Sequence, residues 1–297
     1  MTVTRPVVII LVNWNNEPDT AECLESCRKL CYPEFSMIVV DNGSADGSGE
    51  RLRQRFPDVE VIETGRNLGF AGGNNIGIRR ALETGADYIW LLNNDTVVDR
   101  CALSALVEVA EQDRTVGMAG SKVLCFDVPG RIWYAGGLID DHAPYRCSHR
   151  GVSEEDVGQY DDPSETGYVT GCSLLVRRNV IEQIGQLDEG MFLYFEDTDW
   201  GVRARKAGWR LIYAPRSLVL HKVSVSMGGM DSPRMFYYLA RNLLYFIRKN
   251  YPRVIVRAFG FDLFQHVLVM AKKGRWAAAG WAFRGIVDFL RGRTGPL

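Results

Sequence analysis

Asn93, Asn94 and Asp95 follow directly on the apolar run Tyr88 to Leu92. Two amides and a carboxylate offer oxygen ligands only, a set that suits a hard cation such as Mg²⁺ or Mn²⁺, which in turn binds phosphate oxygens. A second chemical stretch, Glu196-Asp197-Thr198-Asp199, follows the aromatic run Phe192 to Phe195. Three carboxylates so close repel, which raises the pKa of at least one and makes it a better general base near neutral pH. His221 ends the apolar run Val219-Leu220, and imidazole is a common metal ligand. Each feature also has a plainer reading. Asp95 or Thr96 can cap a following helix. Asp199 stands four residues before Arg203, the spacing of a helical ion pair. A histidine at a strand end is often just a hydrogen-bonded structural residue. With a helix expected from Trp200 to Lys206, Glu196 and Asp197 lie just before it and are better placed than Asp199 to face a cleft.

These residues need elements to hold them. Val7 to Val12 reads as a buried strand ending in Asn13-Trp14-Asn15-Asn16, and Met37 to Val40 as a second ending in Asp41-Asn42-Gly43-Ser44. Val59 to Ile62 is a third, followed by Asn67-Leu68-Gly69-Phe70-Ala71-Gly72-Gly73-Asn74-Asn75, and Tyr88 to Leu92 is a fourth. Helical patterns lie between them: Asp19 to Leu30, a segment capped by Asp46 or Ser48 and running through Phe56, and Gly73 to Glu83. Such alternation predicts right-handed βαβ units and a largely parallel sheet. Every strand discharges polar residues at its C-terminal end, so four loops converge on one crevice, where open α/β sheets bind their ligands. The glycine fingerprint GxGxxG is absent after the first strand, which disfavours a dinucleotide-dependent oxidoreductase.

Further along, a helix is expected over Asp99 to Gln112. Short strands follow over Gly117 to Gly120 and Lys122 to Phe126, then an irregular segment, Asp127 to Glu165, which is either a disordered insert or a substrate-covering loop. Strand character returns over Tyr168 to Val176, with a short helix over Arg178 to Ile184 and a strand over Trp209 to Ala214.

The chain has 297 residues, 46% hydrophobic and 24% charged, ordinary values for a globular protein. Its net charge of −1 hides an uneven distribution. From Arg234 onward twelve basic residues face only Asp262 and Asp288, so this tail carries +10 and the rest −11. Such asymmetry points the tail at an anionic surface. Met235 to Lys249 and Trp276 to Leu290 have helical apolar patterns. Val254 to Ala271 between them is broken by Arg257 and Asp262 and makes a poor bilayer span. Helices of this kind either lie in the interface of an anionic membrane or pack on the main domain or a second copy. Cys23, Cys27 and Cys31 recur every four residues with no His or further Cys to complete a metal site, so they read as buried small side chains on one helix face. Met1 to Pro6 shows no charged-then-apolar leader, and the expectation is a cytosolic protein with reduced thiols.

Taken in order, Asn13-Trp14-Asn15, Val40 to Ser44, Asn67 to Asn74, Asn93-Asn94-Asp95, and Glu196-Asp197 with His221 resemble the family 2 glycosyltransferases of GT-A fold, especially their bacterial rhamnosyltransferase-like branch. The similarity runs from about Val7 to Asn250. It implies an α/β fold with a mostly parallel nucleotide-sugar-binding sheet flanked by helices, in a catalytic domain over 1–232. Its nucleotide-binding half would be about 1–120 and its acceptor half about 121–232, with a basic amphipathic helical region over 233–297. By resemblance, Asp41 reads the pyrimidine base, and Asn13, Asn15, Asn67, Gly72, Asn74, Asn93 and Asn94 line the nucleotide-sugar path. Asn93-Asn94-Asp95 stands where the family carries DxD. Its first carboxylate is replaced by Asn93, so Asp95 alone carries over as anionic ligand, with His221, for a divalent Mg or Mn ion. Asp197 matches the catalytic base, with Glu196 beside it.

The implied activity is inverting transfer of a sugar, rhamnose from dTDP-rhamnose first and a UDP-sugar such as UDP-galactofuranose next, to a hydroxyl of a cell-surface polysaccharide or lipid-linked glycan. Nucleic acid is not an expected partner; an anionic membrane surface and a homodimer are. The implied location is the cytoplasm, at the inner face of the cytoplasmic membrane if the tail docks there. Two rivals remain. A nucleotidyltransferase would want a basic, Gly-rich loop after the first strand, and Asn13 to Asn16 offers neither glycine nor charge. A non-catalytic glycan- or membrane-docking protein of the same fold would have lost the acidic residues, yet Asp41, Asp95 and Asp197 are all present.

Overall fold

The structure is a computed structural model and describes residues 4–140, 142–222 and 232–297. The first residues of the stretch Met1 to Pro6, and those just ahead of the expected boundary at 232, therefore lie outside the description. Strands and helices alternate at first: β1 (Val7–Asn13), α1 (Glu17–Cys27), β2 (Phe35–Asp41), α2 (Ser48–Arg55), β3 (Glu60–Glu63), α3 (Gly69–Glu83) and β4 (Tyr88–Leu92). Then come β5 (Thr96–Val98), α4 (Ala102–Gln112), β6 (Val116–Cys125), β7 (Ile132–Tyr134), β8 (Gly137–Ile139), β9 (Cys147–His149) and β10 (Ser164–Glu165). The rest is β11 (Ser173–Arg177), α5 (Arg178–Ile184), α6 (Glu196–Lys206), β12 (Arg210–His221), α7 (Pro233–Asn250), α8 (Ile255–Asp262), α9 (Val269–Lys272) and α10 (Trp276–Leu290), with a π-helical stretch, Leu263–Leu268, between α8 and α9.

The main sheet runs β10-β12-β6-β11-β4-β1-β2-β3, with β5 on β12 and β7 on β6. β3, β2, β1 and β4 are parallel to one another, β11 is antiparallel to both β4 and β6, and β6 and β12 are again parallel. This is the mostly parallel, helix-flanked sheet expected. Side chains alternate faces along a strand, and both faces of β1 are covered. Val7, Ile9 and Leu11 join a core with α1, α2 and α4. Val8 and Ile10 join one with α3, α5 and α6. Asn13 and Asp41 pair in register as the last residues of β1 and β2, so their polar side chains emerge together at the C-terminal edge.

Several local expectations change. The two short strands expected between Gly117 and Phe126 are one long strand, Val116–Cys125, because Ser121 and Lys122 are buried and pair with β12. Arg210 to Ala214 and Val219 to His221 likewise belong to one strand, β12, interrupted by a register shift between Ala214 and Leu218. Thr96 caps no helix; it opens β5. Asp127 to Glu165 holds four short strands rather than none. Cys23 and Cys27 are buried, but α1 ends at Cys27, so Cys31 falls beyond the helix and is exposed.

The tail packs on the main domain through its own core. α7 places Phe236, Ala240, Leu243, Leu244, Phe246 and Ile247 against Met191 and Val202 on one side and α10 on the other. Gly285 of α10 meets the Tyr237 carbonyl so closely that a Cβ would collide with it. Pro252–Lys272 forms one helical run of 21 residues, and an 18-residue window of it has mean hydropathy 1.5 and is 17% buried. By length and composition the run could cross a membrane, although Val254 to Ala271 within it reads from sequence as a poor span.

Candidate active site

At the C-terminal edge of the parallel strands lies a cavity of about 420 Å³. Its walls include Leu92 to Asp95 from the end of β4, Asn67, Phe70 and Asn74 around the start of α3, and Thr170 to Cys172 ahead of β11. Phe192 to Thr198, His221, and Met235 and Leu239 of α7 complete it.

Asp95 and His221 meet because β5 pairs antiparallel with the end of β12, Thr96 opposite His221. His221 Nε2 lies 3.2 Å from Asp95 Oδ1, and both side chains are almost fully buried. The Asn93 amide nitrogen is 3.5 Å from the same Nε2. Burial disfavours the His221 imidazolium, but Cys172 and the Asp95 carboxylate outweigh it and lift the pKa well above the usual value. Trp133 sets its edge against the imidazole at 4.6 Å between ring centroids, which fixes the ring plane. Among the described residues no group of three or more acidic, His or Cys side chains is placed to hold a metal ion. A pair of protein ligands fits a Mg²⁺-type ion, which keeps most of its shell for water and phosphate oxygens.

The second centre is Glu196-Asp197. The helix begins four residues earlier than expected, at Glu196, so both carboxylates sit in the first turn of α6, where negative charge is favoured by the helix dipole. Asp197 Oδ2 accepts from the Gly171 N–H at 2.8 Å, and Oδ1 from the Thr198 N–H at 2.6 Å and the Thr198 hydroxyl at 3.1 Å. Burial pushes the Asp197 carboxyl up, and these donors limit the rise. Glu196 is buried, and among the described residues nothing hydrogen-bonds its Oε2. Burial, then the charges of Asp197 and Asp199, push its pKa well above the carboxylate range. Burial acts on both carboxyls, but only Asp197 has three donors on its oxygens to favour its charged form. Asp199 is structural, as its spacing suggested. It is fully buried and bonds Arg203 at 2.8 Å, Lys249 at 2.9 Å and Asn250 at 2.7 Å. Leaving a buried charge pair half-made costs about 3–5 kcal/mol.

The loop before this turn is strained. Phe192, Tyr194 and Phe195 all have positive φ, at 64°, 69° and 74°. Such a conformation costs about 1–3 kcal/mol per residue and persists only where the surroundings over-determine it. Gly69 abuts this loop. Its φ is +74° and a Cβ there would run into the Phe192 carbonyl, so only glycine lets the two segments close.

On the nucleotide side a polar network links four elements. Asn94 Nδ2 donates to the Thr20 hydroxyl (2.8 Å), which donates to Asn13 Oδ1 (2.8 Å). Asn13 Nδ2 donates to Asp41 Oδ1 (2.7 Å) and Ser48 Oγ (2.9 Å), and Ser44 Oγ donates to the same Asp41 oxygen at 2.6 Å. Asn15, at φ 52°, accepts from the Ala45 N–H and holds the Ser44 loop. Of the residues picked out from sequence, Asn67, Asn74, Asn93, Asn94, Asp95, Glu196, Asp197 and His221 line the cavity. Asn13, Asn15 and Asp41 stand beside it in the network. Gly72 does neither. α3 starts at Gly69 rather than Gly73, so Gly72 lies inside the helix, facing Leu68.

Several cavity residues escaped the sequence reading. Asn42 lines the wall and ties Asn67 and Gly69 together. Trp133 and His149 come from the segment read as irregular. Burial pushes His149 down to about 4, and its Nδ1 donates to the Trp133 carbonyl at 3.2 Å. Gly171 donates to Asp197 through its backbone alone. No local pattern sets Trp133 and His149 apart within that segment, and a backbone donor such as Gly171 leaves no signal at all.

A profile described as Glycosyl transferase family 2 matches residues 8–185. N-acetylglucosaminyl-diphospho-decaprenol L-rhamnosyltransferase of Mycobacterium tuberculosis is 30% identical over 247 residues, covering 77% of this chain and 79% of that protein. dTDP-rhamnosyl transferase RfbF of Shigella flexneri is 24% identical, covering 97% of each. Among solved structures, the mannosyltransferase PcManGT from Pyrobaculum calidifontis in complex with GDP-Man and Mn²⁺ aligns with a TM-score of 0.57 at 18% identity, over 98% of this chain and 75% of that one. GalNAc-T7 with UDP, GalNAc and Mn²⁺ aligns with a TM-score of 0.66 at 15% identity, over 97% and 55%. At these identities the two structures speak for the GT-A fold alone. With the profile spanning more than half its length, the chain belongs to glycosyl transferase family 2.

Proposed function

We propose that this glycosyltransferase is metal-assisted and inverting, and that it moves rhamnose from dTDP-rhamnose to a hydroxyl of a lipid-linked or cell-surface glycan. One observation carries the reading: a single cavity is lined both by a hydrogen-bonded carboxylate, Asp197, and by the Asp95–His221 pair. The names of the relatives support the sugar and the lipid-linked acceptor. In the proposed reaction Asp197 takes the proton of the acceptor hydroxyl as its oxygen bonds to the anomeric carbon. The bond from that carbon to the diphosphate oxygen breaks on the opposite face, so one displacement inverts the configuration. Asp95 and His221 would hold the divalent ion, which offsets charge on the departing diphosphate. Asp41 and its network would receive the base, and Asn67, Asn74, Asn93 and Asn94 the sugar diphosphate.

The test is turnover of dTDP-rhamnose, UDP-galactofuranose and GDP-mannose with Mg²⁺, with Mn²⁺ and with chelator, and the product anomer read by NMR. Turnover of dTDP-rhamnose with inversion, lost in chelator, is the expected result. Retention of configuration, or preference for another donor, overturns the mechanism or the sugar respectively.

The acceptor would be reached at a membrane. Pro252–Lys272 exposes Val256, Phe264 and Leu268, and α10 exposes Trp276, Phe283 and Leu290, edged by Arg253, Arg257, Lys272, Lys273, Arg284 and Arg291. Such a face suits the interface of an anionic bilayer, each basic residue adding about 1 kcal/mol near the surface. The full chain should sediment with anionic but not neutral vesicles at low salt. Replacing Arg253, Arg257, Lys272 and Lys273 with Glu should abolish this. A chain that ignores anionic vesicles but dimerises with concentration assigns the face to a second copy instead.

A further inference from the structure

α7 reaches into the active site in a way that the membrane reading of the tail does not use. Arg241 and Asn242 are buried at 1% exposure each, adjacent polar residues in an otherwise apolar contact. Asn242 Nδ2 faces three carbonyl oxygens of the strained loop: Met191 at 2.7 Å, Leu193 at 2.8 Å and Tyr194 at 3.0 Å. Its Oδ1 accepts from Arg241 Nε at 2.9 Å, which orients the amide so that its N–H groups point at the loop. Arg241 Nη2 adds a bond to the Met191 carbonyl at 3.0 Å, and Nη1 one to the Gly295 carbonyl at 2.6 Å. Phe192 stacks on Tyr238 and Phe195 on Phe246, both of α7. Beyond the Glu196-Asp197 turn, Lys249 and Asn250 of the same helix bind Asp199. One helix therefore holds the chain on both sides of the two carboxylates.

Of the three carbonyls that Asn242 faces, only that of Tyr194 belongs to a residue with positive φ, and that of Met191 also accepts from the Leu193 N–H at 2.7 Å. Buried carbonyls left unpaired cost about 1–3 kcal/mol each, and Asn242 offers a donor to all three. We infer that Arg241 and Asn242 are positioning residues for the reaction: they hold the loop that carries the left-handed residues Phe192, Tyr194 and Phe195 and so aim Asp197 into the cavity. This rests on the reading of Asp197 as the base. It makes the C-terminal helix part of the catalytic apparatus, whatever surface its outer face meets.

The test compares full-length Asn242→Asp, Asn242→Ala, Asn242→Gln and Arg241→Lys with a destabilised control, Leu106→Ala in α4, a helix that contributes nothing to the cavity wall. Each is measured for kcat and donor KM per folded molecule, for thermal melting, and for hydrogen exchange of residues 190–196. A misplacement of about 1 Å can cost 10²-fold in rate. Asn242→Asp and Asn242→Ala should therefore lose about 10–100-fold in kcat with donor KM changed less than about threefold, and exchange at 190–196 should rise. Asn242→Gln, which keeps the donors, should recover part of the loss, and Leu106→Ala should melt earlier with normal kcat. If Asn242→Asp and Asn242→Ala keep normal kcat and exchange, or lose kcat only in step with the folded fraction, the inference falls. If neither Asn242 variant folds, Arg241→Lys carries the same comparison. Exchange is read without substrate, so a failed base assignment, seen as an active Asp197→Asn, is distinguishable from a failed clamp.

Discussion

Asp197→Asn should lower turnover by about 10²–10⁴-fold, the usual worth of a general base, with donor affinity nearly unchanged. The amide keeps the shape of the carboxylate but cannot accept the proton of the acceptor hydroxyl. Glu196→Gln should do far less, because burial and the charges of Asp197 and Asp199 favour the neutral form of Glu196. The pH profile follows from the same environment. Asp197 works only when ionised, and burial raises its pKa. The acid limb of kcat/KM should therefore lie above the range of an ordinary carboxylate, about pH 4, with activity falling as pH drops through it. Stopped or coupled assays across pH 4–9 would decide. Near-normal turnover in Asp197→Asn, or a collapse in Glu196→Gln with Asp197→Asn intact, would reverse the assignment of the pair.

Removing the carboxylate of Asp95 should weaken binding of dTDP in Mn²⁺ by at least about 10-fold, since even residues outside a metal's ligand shell are worth that much. In chelator the same variant should lose little, because without the ion there is less to lose. His221→Ala should follow the same pattern more mildly, as it leaves the anionic ligand in place. Titration calorimetry of Asp95→Ala and His221→Ala with dTDP, in Mn²⁺ and in chelator, provides the measurement. Equal losses in both conditions would mean that the pair shapes the cavity without holding an ion.

The organisation of the nucleotide half is written in local sequence. Buried runs such as Ile9 to Val12 and Tyr88 to Leu92 are too short and too apolar for anything but strands sandwiched between helices. The polar residues at their C-terminal ends then fall on one edge by topology alone. Asp199 with Arg203 was legible for the same reason, because spacing along one helix needs no knowledge of the rest of the chain. Periodicity carries no information about partners distant in the chain. Only the pairing of β5 with β12 brings Asp95 against His221. Only the register of β1 with β2 sets Asn13 against Asp41, to whose Oδ1 it donates. The early start of α6, which puts Glu196 and Asp197 in its first turn, follows a left-handed turn that no propensity favours. The bonds from Asn242 and Arg241 to the carbonyls of that loop come from a helix at the far end of the chain, beyond the reach of any local pattern.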